Sequence, residues 1–341
     1  MFEQFIGIDI GDWKTCVCTS SGKGYNLVSD GNNANNSHFF QPIVHYEKNG
    51  TNILVSSQAT WSDNVHRVSR NQEYYTGDDY TSRCESVESM KYFLTGILNK
   101  CNNNLHVTIT HPVEFNGDKV SHLRSIVESI QSVESVNLIP DPIAAAFCYL
   151  MDKQLSLRDF KGQYIVVDIG YASTRISLVE CEKFSARVVS TELINGLSGK
   201  IISEKVIDRI VEDMRTKHKE IKDTNKLRRE IERRGWGVHS LDSFASFFYE
   251  EDNKQIEIKW YLSDLDAYVK HFIKDRCFPV VDRLRNQNGS MILLVGGGSQ
   301  LPSVRKVFEE QYPSFVYAKK DDAIASLAYG ACRYRSCLLL L

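Results

Sequence analysis

Proline is scarce, 7 in 341 residues, and no stretch is dominated by a few residue types, which excludes collagen-like, proline-rich and low-complexity chains. Charge of one sign is also missing. Lys+Arg number 41 and Asp+Glu 43, a formal net charge of -2, so no basic field argues for nucleic acid or an anionic membrane. No apolar run approaches the roughly 18 to 20 residues that span a bilayer. The opening residues, Met1 to Ile10, hold Glu3 and Asp9 instead of the basic start of a secretory leader. The nine cysteines form no Cys-x-x-Cys pair, and Cys16, Cys18, Cys148 and Cys181 sit in apolar patterns. They read as buried thiols of a cytoplasmic protein, not as a disulfide, metal or redox framework. Glycans at the Asn-x-Ser matches of Asn35 and Asn288 are then excluded.

What remains is an ordinary folding chain. Hydrophobic residues make up 42% and charged residues 25%, globular averages, and at roughly 150 residues per domain the length predicts two domains or lobes. The run Phe5-Ile6-Gly7-Ile8-Asp9-Ile10-Gly11, followed by alternating Thr15 to Thr19, predicts a β-hairpin. Short strands follow at 25–28, 42–46 and 53–55, then a helix over 86–99, a strand over 105–110, a break at Pro112 and a helix over 119–130. A strand over 136–139 leads into an Ala-rich helix, 143–151. The pattern then repeats. Tyr164 to Gly170 is again an apolar strand closed by Asp-x-Gly, again followed by alternation, Thr174 to Glu180. Residues 199–234 are charged with helical periodicity, 255–284 hold a short strand and a helix, and Met291–Val295 runs into Gly296-Gly297-Gly298-Ser299, with a helix after Pro302. A second Ala-rich helix, 323–333, ends the pattern. Two copies of this order imply paired α/β lobes.

A strand ending in Asp-x-Gly sets a carboxylate at the carboxyl end of a sheet, where α/β folds bind ligands, and its glycine lets backbone approach a phosphate. Asp9 and Asp168 read either as ordinary turn residues or as a matched pair holding Mg²⁺ through water, an ion that keeps much of its hydration shell. Gly296–Ser299 suits close approach of a nucleotide's sugar and first phosphate. A Rossmann fingerprint, a P-loop, a nucleophile elbow and a kinase signature are all missing from the sequence.

In combination these motifs resemble the nucleotide-binding domain of the DnaK-type heat-shock chaperones, within the actin and sugar-kinase superfamily. Gly7-Ile8-Asp9-Ile10-Gly11 is similar to the first phosphate motif and Val167-Asp168-Ile169-Gly170 to the second. Pro140 to Ala146 resembles the first connecting helix, Val295 to Pro302 the adenosine motif, and Ala328-Tyr329-Gly330-Ala331 the second connecting helix. Supporting stretches are Thr110 to Asn116 and the surroundings of Lys217-His218-Lys219. The resemblance implies an α/β actin-like ATPase fold: two lobes, each on a duplicated ribonuclease-H-like mixed sheet with flanking helices, and a nucleotide cleft between them. It implies a first lobe over 1–160, with 39–81 as a small outer subdomain and completed by a C-terminal helix, 321–341. The second lobe covers 161–320, with 195–277 as an outer helical subdomain, and no peptide-binding domain follows. ATP or ADP with Mg²⁺ is the implied ligand. Gly11, Asp12, Trp13, Gly170, Tyr171, Ala172, Glu232, Trp236, Ser240 and Gly296 to Ser299 (Gly297 and Gly298 included) would bind it. Asp141, Arg70 and Ser173 take the catalytic positions, and Asp9 and Asp168 the metal.

The departures matter as much. Asp12, Trp13 and Lys14 replace the hydroxyl-bearing residues after Gly11, and Tyr171-Ala172 replaces a bare Gly-Gly. Arg175 stands where Asp is common, and Asp141 is one methylene shorter than the usual Glu. Arg70 falls at the catalytic lysine, and an arginine cannot deprotonate. Gly235-Trp236 replaces a basic pair, and Trp236 either stacks on adenine or is an ordinary aromatic. Catalysis by positioning and electrostatics suffers more from such losses than binding does. The expectation is therefore an atypical co-chaperone or regulatory scaffold with weak or no hydrolysis, resembling the ribosome-associated-complex and exchange-factor branches. Its partner would be a J-protein, another DnaK-type chaperone or both, with the ribosome as the setting and with no nucleic-acid reading and no membrane. The alternatives are an active ATPase, a nucleotide exchange factor, or a small-molecule kinase of the same superfamily.

Overall fold

The computed structural model describes residues 4–20, 24–30, 38–46, 53–56, 65–67, 80–101, 104–156, 158–182, 185–216, 221–224, 226–227, 231, 244–251, 254–285, 290–319 and 323–338. The chain divides into two compact units. One comprises Met1–Val166, Ser177–Thr191 and Lys319–Leu341, the other Val167–Ile176 and Glu192–Ala318.

The first unit opens with β1 (Gln4–Ile10) and β2 (Thr15–Ser20), antiparallel, with Ile10 opposite Thr15. β3 (Tyr25–Leu27) extends the hairpin, and β4 (Ile43–Tyr46), β5 (Ile53–Val55) and β6 (Val65–Arg67) form a small sheet in the order β5-β4-β6. Helix α1 (Tyr80–Leu98) starts before the apolar periodicity that predicts it at 86. Then come β7 (Leu105–His111), α2 (Gly117–Glu128), capped by Asn116 Oδ1 accepting from Lys119 N at 3.0 Å, and β8 (Val133–Pro140), which leads straight into α3 (Asp141–Asp152). The main sheet runs β3-β2-β1-β7-β8, with β7 parallel to both β1 and β8.

Alternation along β1 and β2 sorts two cores. Ile6, Ile8, Ile10 and Val17 face Met90, Phe93, Leu94 and Ile97 of α1 and Leu123, Ile126 and Val127 of α2. Cys16 and Cys18 join Cys148 of α3 and Ala325, Ala328, Tyr329 and Cys332. A sheet covered on both faces reads as a nearly continuous apolar run, which is why these strands stand out in the sequence.

The second five-stranded sheet runs β11-β10-β9-β14-β15, built from β9 (Gly162–Ile169), β10 (Thr174–Glu182), β11 (Ser185–Ile194), β14 (Met291–Val295) and β15 (Val316–Ala318). Helix α4 (Gly199–Thr216) buries Ile202, Val206, Ile207, Ile210 and Met214, the helical stripe of its sequence. Residues 244–261 form an antiparallel hairpin, β12 (Phe244–Glu251) with β13 (Lys254–Tyr261), so the short strand expected near 255 is half of a pair. Helices α5 (Leu262–Phe272), α6 (Phe278–Leu284) and α7 (Pro302–Gln311) follow, α5 and α6 joined by a π-turn over Ile273–Cys277. Edge-to-face contacts of Phe278 with Phe308 and Tyr312 tie α6 to α7.

Helix α8 (Ser326–Leu338) returns to the first unit. A Cβ on Gly7 would stand 2.1 Å from the Ala328 carbonyl oxygen, so α8 rests on the β1 backbone where only glycine fits. All four cysteines named from their apolar patterns are buried, as are Cys277, Cys332 and Cys337.

Candidate functional site

The first Asp-x-Gly turn joins β1 to β2. Gly11 N donates to Lys14 O at 3.1 Å, and a Cβ on Gly11 would lie 2.5 Å from that same oxygen, so the turn closes only on glycine. Asp9, 8% exposed, accepts from Thr110 Oγ1 at 3.2 Å, one strand over on β7. Asp141, 4% exposed, is the first residue of α3 directly after β8, so β1, β7 and β8 end in polar groups at their carboxyl ends. Asp12 and Trp13 occupy the turn and are half-buried. Lys14 lies with its ammonium 4.5 Å from the Phe39 ring centroid, and burial holds its pKa below the usual lysine value.

The second turn repeats this closure: Gly170 N donates to Ser173 O at 2.9 Å. Asp168, at the end of β9, is 9% exposed. Behind the turn sits the start of α4, where Gly199 N donates to Gly170 O at 2.9 Å and Lys200 N to Tyr171 O at 2.8 Å. Ser198 caps that helix by accepting from Ile201 N at 3.3 Å, and Thr174 Oγ1 donates to Leu197 O at 2.7 Å. Because a peptide is planar and trans, carbonyls held toward α4 turn the Tyr171 and Ala172 N–H groups the other way. Tyr171 is half-buried and Ala172 exposed. Arg175 Nη1 donates to Ser173 Oγ at 2.6 Å.

The glycine turn stands against this second turn. Gly296 has φ of 80°, and a Cβ there would lie 2.4 Å from Asp168 Oδ1 and 2.6 Å from the Ile169 carbonyl oxygen; one on Gly298 would lie 2.2 Å from Ile169 Cγ2. Ser299 Oγ braces the turn by donating to Gly296 O at 2.7 Å, and Gln300 Nε2 donates to Ser299 Oγ at 3.3 Å. Residues Gly297–Gln300 form one 3-10 turn before α7.

Asp168, Gly170 to Ser173 and Gly296 to Ser299 are thus brought together within one unit, while Asp9, Gly11, Asp12, Trp13 and Asp141 gather in the other. Arg70, Glu232, Trp236 and Ser240 lie outside the described residues. The bond from Arg175 to Ser173 adds a contact that motif matching did not supply, although their separation of two residues along an extended chain was a signal for it. Within each unit the chemistry present is of a kind that a magnesium nucleotide uses: carboxylate oxygens suit a hard, hydrated cation, and a glycine-closed turn suits phosphate.

Residues 106–332, two thirds of the chain, match the family model described as Hsp70 protein. The chain belongs to the Hsp70 family. This Hsp70-family chain is 25% identical over 259 residues to the Heat shock 70 kDa protein of Neurospora crassa, covering 72% of this chain and 39% of that protein. It is 24% identical over 276 residues to the Heat shock cognate 70 kDa protein 3 of Dictyostelium discoideum, 75% of this chain and 43% of that protein. A third relative, the Heat shock 70 kDa protein 2 of Paracoccidioides lutzii, is 23% identical over 258 residues. The chain spans about two fifths of the length of these curated relatives. The matched stretch contains Asp141, the second turn and the glycine turn; the first turn lies before it. The two five-stranded sheets with their helices agree with the expected actin-like ATPase fold. Among the described residues no helix is long and apolar enough to cross a membrane.

Proposed function

We propose that this Hsp70-family chain binds ATP or ADP with Mg²⁺ and acts as a co-chaperone or regulatory scaffold that hydrolyses ATP weakly or not at all. Gly11 to Trp13 and Gly170 to Ala172 would contact phosphates, Gly296 to Ser299 the sugar side, and Asp9 and Asp168 the metal through water. Glu232, Trp236 and Ser240 would hold the base. A magnesium ion would neutralise phosphate charge at the point of cleavage. Asp141, Ser173 and Arg70 are the residues through which any hydrolysis would run.

The observation that carries the reading is the chemistry of the second turn. Its backbone is braced as a phosphate loop needs, yet Tyr171 and Ala172 add side chains to it and Ser173 accepts a bond from Arg175. Binding by backbone N–H groups tolerates such changes better than a reaction that depends on positioning to a fraction of an ångström. A J-protein, another Hsp70-type chaperone, or both, at the ribosome in the cytoplasm, is the proposed setting. The family membership supports this class of partner.

The test is calorimetric titration of nucleotide-stripped protein with ATP and ADP in Mg²⁺, followed by single-turnover hydrolysis. Tight ATP binding without phosphate release is the expected result. Phosphate release in that single turnover, sustained when ATP is then supplied in excess, would establish the second reading, an active ATPase, which the burial of Asp141 at the start of α3 favours. An exchange-factor role would instead show as accelerated ADP release from a separate Hsp70.

A further inference from the structure

We propose that Cys18 and Cys332 form a redox-sensitive thiol pair, which closes to a disulfide by exchange with a small disulfide of the glutathione type and reopens with thiol. The pair needs no nucleotide, so it stands or falls apart from the reading above. Its basis is the notch at Gly7. In the β1–β2 pair Gly7 lies directly opposite Cys18, and residues so opposed share a face of the sheet, with Cα atoms about 5 Å apart. A Cβ on Gly7 would stand 2.4 Å from Cys332 N and 2.9 Å from Cys332 Cα. The glycine thus removes the side chain that would hold α8 off the strands, and the Cys332 backbone settles beside Cys18 on that same face. The two thiols are hydrogen-bond partners, in a buried cluster that also holds Cys16 and Cys148. Cys332 Sγ also donates to Phe5 O at 3.4 Å, which keeps its sulfur down on the strands, whereas Cys16 Sγ donates to Ile324 O at 3.7 Å. A disulfide asks for Cα atoms roughly 4.4 to 6.8 Å apart and side chains that converge. The notch supplies that approach, and nothing in the sequence of either segment announces it.

The exchange balances. The thiolate of one cysteine attacks the small disulfide, forming a mixed disulfide and releasing one thiol; the other cysteine then attacks the protein-bound sulfur and releases the second. Each leaving thiolate takes up the proton that an attacking thiol gave up. Two protein thiols are oxidised and one small disulfide is reduced to two thiols. Both cysteines are fully buried. Burial and the neighbouring thiol hold Cys18 above the ordinary thiol range, with Lys319 acting in the other direction. Exchange therefore waits for α8 to lift from the strands, and equilibrium is the diagnostic quantity, not rate.

The experiment equilibrates dilute chain, without nucleotide, in glutathione buffers of graded ratio, both folded and in urea. Remaining thiols are trapped with N-ethylmaleimide and unreduced tryptic peptides are mapped. Each folded sample is approached from reduced chain and from chain refolded out of urea in the same buffer. A peptide pair linking Cys18 to Cys332 is expected, formed in the folded chain at an oxidant level about tenfold or more below that needed in urea, because the fold holds the two sulfurs together. The thermodynamic cycle then requires oxidised chain to gain the same factor in its folding equilibrium, read as a higher urea midpoint that dithiothreitol reverses. Cys18→Ala and Cys332→Ala should each abolish the linked peptide, and Cys148→Ala should retain it. Where an alanine variant does not fold, the peptide map of the wild-type chain decides by itself. No linkage, a linkage formed no more readily than in urea, an oxidised chain no more stable than the reduced one, or a bridge made by Cys16 or Cys148 in place of either partner overturns the proposal.

Discussion

Gly330 of α8 lies against the backbone of Ala144 in α3: a Cβ at Gly330 would stand 1.7 Å from the Ala144 carbonyl oxygen and 3.0 Å from Cys148 N. The two Ala-rich helices therefore cross at backbone contact, and α8 is clamped between α3 and the glycine notch at Gly7.

Gly330→Ala is accordingly expected to destabilise the chain by about 1 to 3 kcal/mol, since the neighbouring atoms are backbone and can yield only by moving a helix. Gly117→Ala is the control. It opens α2, where a Cβ meets nothing within 4 Å, and its cost is expected to stay within about 0.5 kcal/mol. Urea unfolding of both variants decides. Equal midpoints would mean that the helices do not meet as described.

The crossing also shows what the sequence could tell. Both Ala-rich helices, the β1–β2 hairpin, β9 and β14 were legible because they are buried on two faces or on a full helical stripe, which leaves continuous apolar runs. β11 and β12 were not. Val189 and Leu193 of β11 and Phe248 of β12 point outward, at 45%, 53% and 65% exposure, so alternation is blurred by apolar residues on the wet side. In the site, the glycines and the paired Asp-x-Gly turns were readable from type and spacing. The pinning of the second turn by α4 was not, because it depends on Gly199 and Lys200 meeting residues nearly thirty positions earlier.

The two site-facing glycines should differ. At Gly296 the obstacles to a Cβ are Asp168 Oδ1 and the Ile169 carbonyl, and φ is positive; at Gly298 φ is not positive and the obstacles are the Ile169 Cγ2, at 2.2 Å, and its Cβ and carbonyl oxygen, at 3.0 Å, with no contact to Asp168 among them. Gly296→Ala is expected to cost about 1 to 3 kcal/mol and to displace Asp168, weakening ATP binding. Gly298→Ala should cost less and retain more affinity. Denaturation and calorimetry on the same samples test the order. A larger loss at Gly298 would reverse the argument.

Asp9 accepts a bond from Thr110 that an amide oxygen can also accept. Asp9→Asn should thus keep the fold while removing the charge proposed to hold hydrated Mg²⁺. Affinity for ATP is expected to become nearly independent of Mg²⁺ between zero and about 5 mM, an excess over ordinary site affinities. A variant as Mg²⁺-dependent as wild type would remove Asp9 from the metal.

The buried thiols supply a pH dependence with a definite sign. Burial raises Cys148, Cys181 and Cys277 from 9.0 to about 12 and Cys101 to about 11. In the unfolded chain the same groups release protons near 9.0, so above that pH the unfolded state holds fewer protons than the folded one. Stability contributed by these thiols is complete below about pH 9 and falls as pH climbs toward 12, because ionisation pulls the equilibrium toward the unfolded chain. Urea midpoints measured from pH 7.5 to 10.5 should stay level and then decline. Labelling gives the same answer residue by residue, since it is the thiolate that attacks iodoacetamide and displaces iodide. At pH 8, Cys101, half-buried, should react first among the described cysteines, and Cys148 and Cys277 should wait for global unfolding. Labelling of Cys148 in native protein as fast as in urea would mean that the α3–α8 crossing opens on its own, and the close packing at Gly330 would fall with it.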